Sequence, residues 1–427
     1  MSLEKDLDAL FVKGGLTADE AAVRAVKTSP AVRARAAQLD VAIAQMQTAE
    51  LARVPIVSGT ARYTRLSPLD PLSFGGAFSL EYPVNSYLGE ATLQVPLSDY
   101  LLRFPKLVEA ARLGTESARI GKRSSEVDAA SAVRVAYYEW VRARLQTLIA
   151  TRQLAQVRAT LVQVRALADA QRVSRADLLR VESQEADVEQ VADVAKLTSD
   201  LREEQLRILI GAGNEPLVIG EDIREEMTAP APGELDVLVS DATKQRLDFQ
   251  ALDLGIRAKV EQRGSERAGL FPSLSAFATA DYARPNQRVF TQVDEFRFTW
   301  QAGVQLTWTL NEALITNAQD KRYLAEVREL RANRETLERG TRIEVLAAQQ
   351  GLATAQRSLV TTTKGLTAAV EAYRVRQALL QAQRATAVEL VDAETELTRA
   401  RVAALNARIN LRIARVVLQH ATGADTK

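Results

Sequence analysis

The sequence predicts a mainly α protein with a small β part: a tandem duplication of long coiled-coil helices in which each copy carries one β-hairpin. Three observations predict it. Segments far apart in the chain share spacing and turn residues; two proline-free stretches carry apolar residues at three-four spacing; and near Phe296 the apolar period drops to two.

Each copy opens with a short helix, LTADEAAVRAVKTS in the first, where Thr17 caps and Glu20 stands three residues later as in a capping box. A second helix runs from Pro30, a residue suited to a first helical turn, towards Arg53. SPAVRARAAQLDVAIAQ from Ser29 matches RLDFQALDLGIRAKVEQ from Arg246, so that Pro30 falls on Leu247, 217 positions on. AELARVPIVSGTARYTR from Ala49 matches SERAGLFPSLSAFATADYAR, with Pro55 on Pro272 and the same offset of 217. Later, RVSRADLLRVES from Arg172 matches RATAVELVDAET from Arg384, Asp177 falling on Glu389 at an offset of 212, and Gly211 and Gly423 close both halves at that same offset. The first copy therefore carries five extra residues between Pro55 and Asp177, and the loop Ser67 to Tyr87 is their natural place.

The strands follow. From Phe296 to Leu310, the residues Phe296, Phe298, Trp300, Ala302, Val304, Leu306, Trp308 and Leu310 share one parity and polar residues occupy the other. Its partner is Leu274 to Tyr282, and the first copy supplies Ile56 to Thr64 and Ala91 to Leu97. The inner face of a soluble β-sandwich shows the same alternation, but a sandwich needs about seven strands and four are found.

Long helices come next, Pro105 to about Ala170 and Glu312 to about Gln383, each approaching ~100 Å at 1.5 Å per residue. Leu154, Val157, Leu161, Val164 and Ala168 in one, and Val345, Ala348, Leu352, Ala355 and Leu359 in the other, form coiled-coil seams. Breaks at Val173 to Arg175 and Arg384 to Thr386 reverse the chain into a last helix ending at Gly211 or Gly423. The organisation is thus a first repeat, 1–212, with its β-hairpin at about 55–97 and helical hairpin at about 105–211. A linker at 213–233 leads to a second repeat, 234–427, with hairpins at about 272–310 and 312–423.

Composition narrows function. Basic and acidic side chains number 55 and 54, a net charge of +1 that argues against a nucleic-acid partner. No cysteine and a single histidine, His420, leave no thiolate nucleophile, no Cys- or His-based metal centre and no Ser-His-Asp triad, so neither an enzyme nor a cofactor is expected. His420 reads as a partly exposed helix-terminal side chain. No apolar run reaches the ~18 to 20 residues of a spanning helix. The start, MSLEKDLDALFVKGG, lacks the features of a secretory signal: either the protein is cytoplasmic, or this is a mature form in which Met1 to Leu3 are an added remnant.

Four amphipathic strands match the ~9 to 11 residues that a tilted strand needs to cross a bilayer. They cannot close a barrel alone, and an open edge is forbidden in lipid, so such a chain must oligomerise: two copies would give about eight strands with a filled interior, three about twelve with room for a lumen.

Several patterns in tandem resemble a TolC-type outer-membrane efflux factor, the outer-membrane channel component of a tripartite export system. They are the strand-to-helix turns VPLSDYLLRFPKL at Val95 and TWTLNEALITN at Thr307, the junctions ARVPIVSG and GLFPSLSA, and the tips SRADLLRVES and TAVELVDAET. The resemblance covers nearly the whole chain. It implies a homotrimer in a Gram-negative outer membrane, with a 12-stranded β-barrel and a long α-helical barrel in the periplasm. It further implies an inner-membrane pump and a periplasmic adaptor (membrane fusion protein) as partners, and a passive duct for small molecules or proteins, as in efflux or type I secretion, that performs no reaction.

The resemblance also implies an acidic entrance gate, carried over through VELVD onto Glu389 and Asp392, one turn apart on one helix face. In a trimer these carboxylates would crowd around the mouth and favour cations. The family's tyrosine and arginine latch falls on Leu380 and Ala385, a departure, with Arg384 adjacent. Arg172, Arg175, Asp177, Arg180 and Arg384 flank the tips, placed for inter-helix ion pairs or for adaptor contact, and Tyr282, Trp300 and Trp308 would anchor a barrel at the lipid interface. The competing reading is a soluble coiled-coil scaffold whose hairpins form a small assembly sheet. The missing signal and the 5% aromatic content favour it, and the apolar strand faces, which have no other evident partner, oppose it.

Overall fold

Three helices begin on the same device. Thr17, Ser174 and Thr386 each accept from the backbone N–H three residues on, while Glu20, Asp177 and Glu389 reach back to the cap's own N–H. Two helices end on Gly211 and Gly423 in the left-handed region, at φ of 63° and 71°. The structure, a computed structural model, describes residues 3–70, 72–74, 78–80, 83–225, 227, 233–289, 293–382 and 384–426. Met1, Ser2 and much of the end of the expected linker, 226 and 228–232, lie outside them.

In chain order the elements are α1 (Leu3–Leu10), β1 (Phe11–Leu16), α2 (Ala18–Thr28), α3 (Pro30–Leu51), β2 (Ile56–Arg65), β3 (Leu72–Phe74), β4 (Phe78–Leu80), β5 (Asn85–Val95), α4 (Leu97–Leu102), α5 (Phe104–Asp169) and α6 (Arg175–Ile210). There follow α7 (Leu235–Gln245), α8 (Leu247–Glu266), β6 (Ser273–Arg284), β7 (Arg297–Thr307), α9 (Leu310–Gln381) and α10 (Ala387–Thr422). The starts of α3 and α8, and of β2 and β6, lie 217 residues apart; those of β5 and β7, and of α6 and α10, lie 212 apart. The change of offset falls between Arg65 and Asn85, in the loop that carries the small β3–β4 hairpin.

Two strand limits are corrected. β7 stops at Thr307, not Leu310, because the Thr309 carbonyl already accepts from the N–H groups of Glu312 and Ala313 and turns the chain into α9. β5 runs Asn85–Val95 rather than Ala91 to Leu97; Pro96 removes a ladder donor, and Leu97 starts α4.

The chain forms two compact units, each built from both halves of the sequence. Met1–Ala37, Ile120–Gln250 and Glu335–Lys427 make the first; Gln38–Arg119 and Ala251–Arg334 make the second, which holds the four-stranded sheet. The largest core of the first unit centres on Tyr137, Trp140, Val141 and Leu145 of α5, packed with Leu206 and Ile210 of α6, Ile409 of α10 and the alanines of α2. Aromatics bring large contact area to this one point of an otherwise alanine-rich helix. Tyr137 Oη donates to the Leu16 carbonyl at 2.8 Å, tying β1 to α5. β1 in turn bridges Ile219 in parallel, so closely that a Cβ on Gly220 would lie 2.1 Å from the Gly15 oxygen. Along the seams, Val157, Leu161 and Val164, and Val345, Ala348, Leu352 and Ala355, are buried as their spacing predicts.

Candidate functional site: an amphipathic sheet and a charged helical turn

The sheet of the second unit has the order β2-β5-β6-β7, every pair antiparallel. Register makes one face apolar across all four strands, because cross-strand partners share a side. Val57 pairs with Leu93, Leu93 with Ala278 and Ala278 with Ala302; one step along, Gly59, Ala91, Ala280 and Trp300 line up. No described residue covers this face on β7, where Trp300, Val304 and Leu306 are 69%, 67% and 68% exposed. The other face carries Thr60, Arg62, Glu90, Gln94, Thr279, Asp281, Gln301 and Gln305. Small residues fill the middle of the apolar face, which is why it needs few aromatics. The outer edges of β2 and β7 have no strand partner among the described residues.

At one end of the apolar face the rings gather. Tyr282 stacks on Phe296 with centroids 5.0 Å apart, Tyr87 lies 6.1 Å from Phe296, and Tyr63 lies 5.1 Å from Tyr87. Tyr282 is thus part of a cluster, whereas Trp300 sits four residues inside it along β7. Trp308, 58% exposed, lies just beyond the last pair of the ladder, Ser273 with Thr307. Phe296 was read as a strand residue, whereas Tyr63 and Tyr87 were not singled out because the first hairpin alternates weakly there.

In the first unit the two helical turns lie together. Arg180 of α6 pairs with Asp392 of α10 at 3.2 Å, joining residues 212 apart in sequence, with both side chains exposed. Glu389 is engaged twice: it closes the Thr386 capping box and pairs with Arg376 of α9 at 3.3 Å. Asp177 caps α6, its carboxylate accepting from the Ser174 hydroxyl at 2.7 Å. Behind these charges Leu161, Val164, Val181 and Val391 form a small core between α5, α6 and α10. Arg158 pairs with Glu185 and Glu189, and Arg165 with Glu182, closing α5 onto α6. Arg172, Arg175 and Arg384 are exposed and form no ion pair among the described residues. Leu380, in the latch position, is half-buried.

Solved structures settle the architecture. The outer membrane protein VceC of Vibrio cholerae matches with a TM-score of 0.78 at 17% identity, covering 95% of this chain and 96% of that one. CusC, described by its transmembrane channel formation, matches at 0.80 and 17% identity over 97% and 93%. The fold is that of these outer-membrane proteins. The open-state outer membrane channel MtrE of Neisseria gonorrhoeae has the same fold, with a TM-score of 0.78 at 18% identity, over 96% of this chain and 89% of its own. Residues 238–424 match the family model of the outer membrane efflux protein. No curated protein matches the chain.

Within this fold several groups carry no motif in the sequence. Tyr138 donates to Glu221 at 3.1 Å, and the same carboxylate accepts from the Ala18 N–H at 2.8 Å, so a residue of the expected linker caps α2. Burial first, then the Glu221 charge, push the hydroxyls of Tyr137 and Tyr138 well above the usual tyrosine range. The cluster of rings in VAYYEWVR was the available signal. Glu394 of α10 is buried, and burial pushes its carboxyl up to about 7. Four residues after Leu390 and three before Leu397, it falls on the apolar stripe of α10, opposite exposed Glu396, and that spacing was the available signal. His420 is partly exposed near the end of α10 and has two partners: its Nδ1 lies 2.9 Å from Asp425 and its Nε2 3.5 Å from Asp128. Among the described residues no helix is long and apolar enough to cross a membrane.

Proposed function

We propose that this chain is one third of a passive outer-membrane exit duct, a homotrimer that carries small molecules or proteins from a pump and adaptor out of the cell. The carrying observation is the open four-stranded sheet with one largely apolar face, interrupted only at one end by Arg65, Asn85 and Arg284. In hydrocarbon each unpaired N–H or C=O costs several kcal/mol, so the free edges of β2 and β7 demand neighbours. β7 of one copy against β2 of the next closes a barrel, and three copies give about twelve strands, enough for a lumen. The apolar face then meets lipid, and Arg62, Glu90, Asp281 and Gln301 face water inside. Four strands per chain could equally form a soluble assembly sheet, but the likeness to outer-membrane channels spans nearly the whole chain.

Such a duct supplies no chemistry; energy and much of the selectivity come from an inner-membrane pump and a periplasmic adaptor, which meets the tips at Arg172, Arg175 and Arg384. Glu389 and Asp392 narrow the periplasmic mouth as rings of carboxylate, held in place by Arg376 and Arg180. The reading is tested in detergent: a particle of three 46.8 kDa chains with single-channel conductance in bilayers is expected, and a detergent-free, monodisperse monomer without conductance refutes it. In the same recordings Glu389→Ala with Asp392→Ala should weaken cation preference and block by multivalent cations; unchanged selectivity would remove both residues from the gate.

A further inference from the structure

Among the described residues Glu394 is the one buried carboxylate, 4% exposed, and neither of its oxygens has a hydrogen-bond partner. It borders a cavity of about 20 Å³ between α5 and α10, room for a single water. The charged and titratable groups that face it are few. From α5 comes Arg152, already paired with Asp6 of α1, together with Gln156, which donates to Tyr373 of α9. From α10 comes Arg401, two turns further along, which makes no hydrogen bond among the described residues. Asp187 of α6 lines the wider groove alongside, which shares Gln153 and Thr398 with the cavity. No donor touches the carboxylate; burial disfavours its charged form, and the attraction of Arg401 offsets only part of that. Leu390, Val391 and Leu397 are buried on the same helix, so the seat that encloses Glu394 is also the seat of the turn carrying Glu389 and Asp392.

We propose that Glu394 is a proton-controlled joint of the α9–α10 hairpin: protonated, it lets α10 sit against α5 and α9 as seen here, and its ionisation lifts α10 from that seat. The sign follows from linkage. The seated form holds its proton to about pH 7, whereas an exposed glutamate loses it near 4.5, so seating is fully favoured in acid and weakens as pH rises from 4.5 through 7. Resting on the duct reading only for its consequence, this makes the periplasmic mouth easier to open at higher pH.

Hydrogen exchange of the full chain in detergent tests it, corrected for intrinsic rates. Protection of residues 388–400 should fall about 30-fold between pH 5.5 and 8, the shift in seating that carboxyl values of 4.5 and about 7 imply. Glu394→Gln should abolish that dependence, while Glu396→Gln, at an exposed residue paired with Arg399, should retain it. Exchange in the wild type that does not vary with pH, or an unchanged dependence in Glu394→Gln, overturns the proposal. Should the glutamine variant not fold, infrared spectra of the ¹³C-glutamate wild type decide: a protonated carboxyl band persisting at pH 6 supports the joint, and titration of every band near 4.5 overturns it. A pH-dependent exchange without bilayer conductance leaves the joint standing and refutes the duct instead.

Discussion

Single side chains at the tip differ sharply in what they contribute. Arg180 and Asp392 are 61% and 60% exposed, so water screens their attraction. Arg180→Ala should therefore cost less than about 1 kcal/mol of stability in thermal unfolding, even though the pair spans two hairpins. His420 is different, because it is partly enclosed. Its bond to Asp425 raises its affinity for a proton against an opposing effect of burial, with Asp128 adding to the rise. The stabilisation it brings is complete below its ordinary value of 6.5 and is lost as pH rises through the higher folded value. Melting temperatures between pH 6 and 8 should decline less in His420→Gln than in the wild type, and parallel declines would show that the ring carries no such coupling. Asp177 and Glu389 show how a sequence motif conceals a second duty: each carries tip charge and also closes a capping box.

Helix ends and strand registers belong to the next scale. Gly211 ends α6 with φ of 63°, and a Cβ there would meet the Thr28 methyl at 2.6 Å. Gly211→Ala should destabilise the first unit by about 1 to 2 kcal/mol from the left-handed backbone alone, more with the contact to α2, read as a lowered denaturant midpoint at unchanged slope. Most element boundaries could be read from the chain, since caps, prolines and left-handed glycines act over a few residues. The strand ends at Val95 and Thr307 could not. Alternation continued through Leu310, but the Thr309 carbonyl had been claimed by the next helix, an outcome of competition between neighbouring ladders rather than of pattern.

For the whole molecule the apolar face of the sheet is decisive. Val304 lies two residues from the middle of β7 on the face proposed to meet lipid, and Gln94 of β5 lies on the other. Val304→Arg should cost about 2 to 4 kcal/mol near the bilayer midplane and reduce trimer recovered from outer membranes, while Gln94→Lys should be tolerated. Equal tolerance of both would mean that the two faces do not see different solvents. The proposed barrel of copies would also account for the exposure of much of α3 and α9.

From the sequence alone came the duplication, the two offsets that locate five extra residues in one loop, the helix termini and the polarity of the two faces of β7. These are properties of local backbone chemistry and of the 3.6- and 2-residue periods, which a chain displays without folding. Tertiary structure alone decided that β5 pairs with β6 and so welds the halves into one sheet, that β1 lies beside Ile219, that Arg180 meets Asp392, and that no donor reaches the buried Glu394. The physical reason is the same in each case. Period and charge tell a side chain which kind of surroundings it prefers, but which neighbour supplies them depends on contacts between residues far apart in sequence, and only the packed chain sets those.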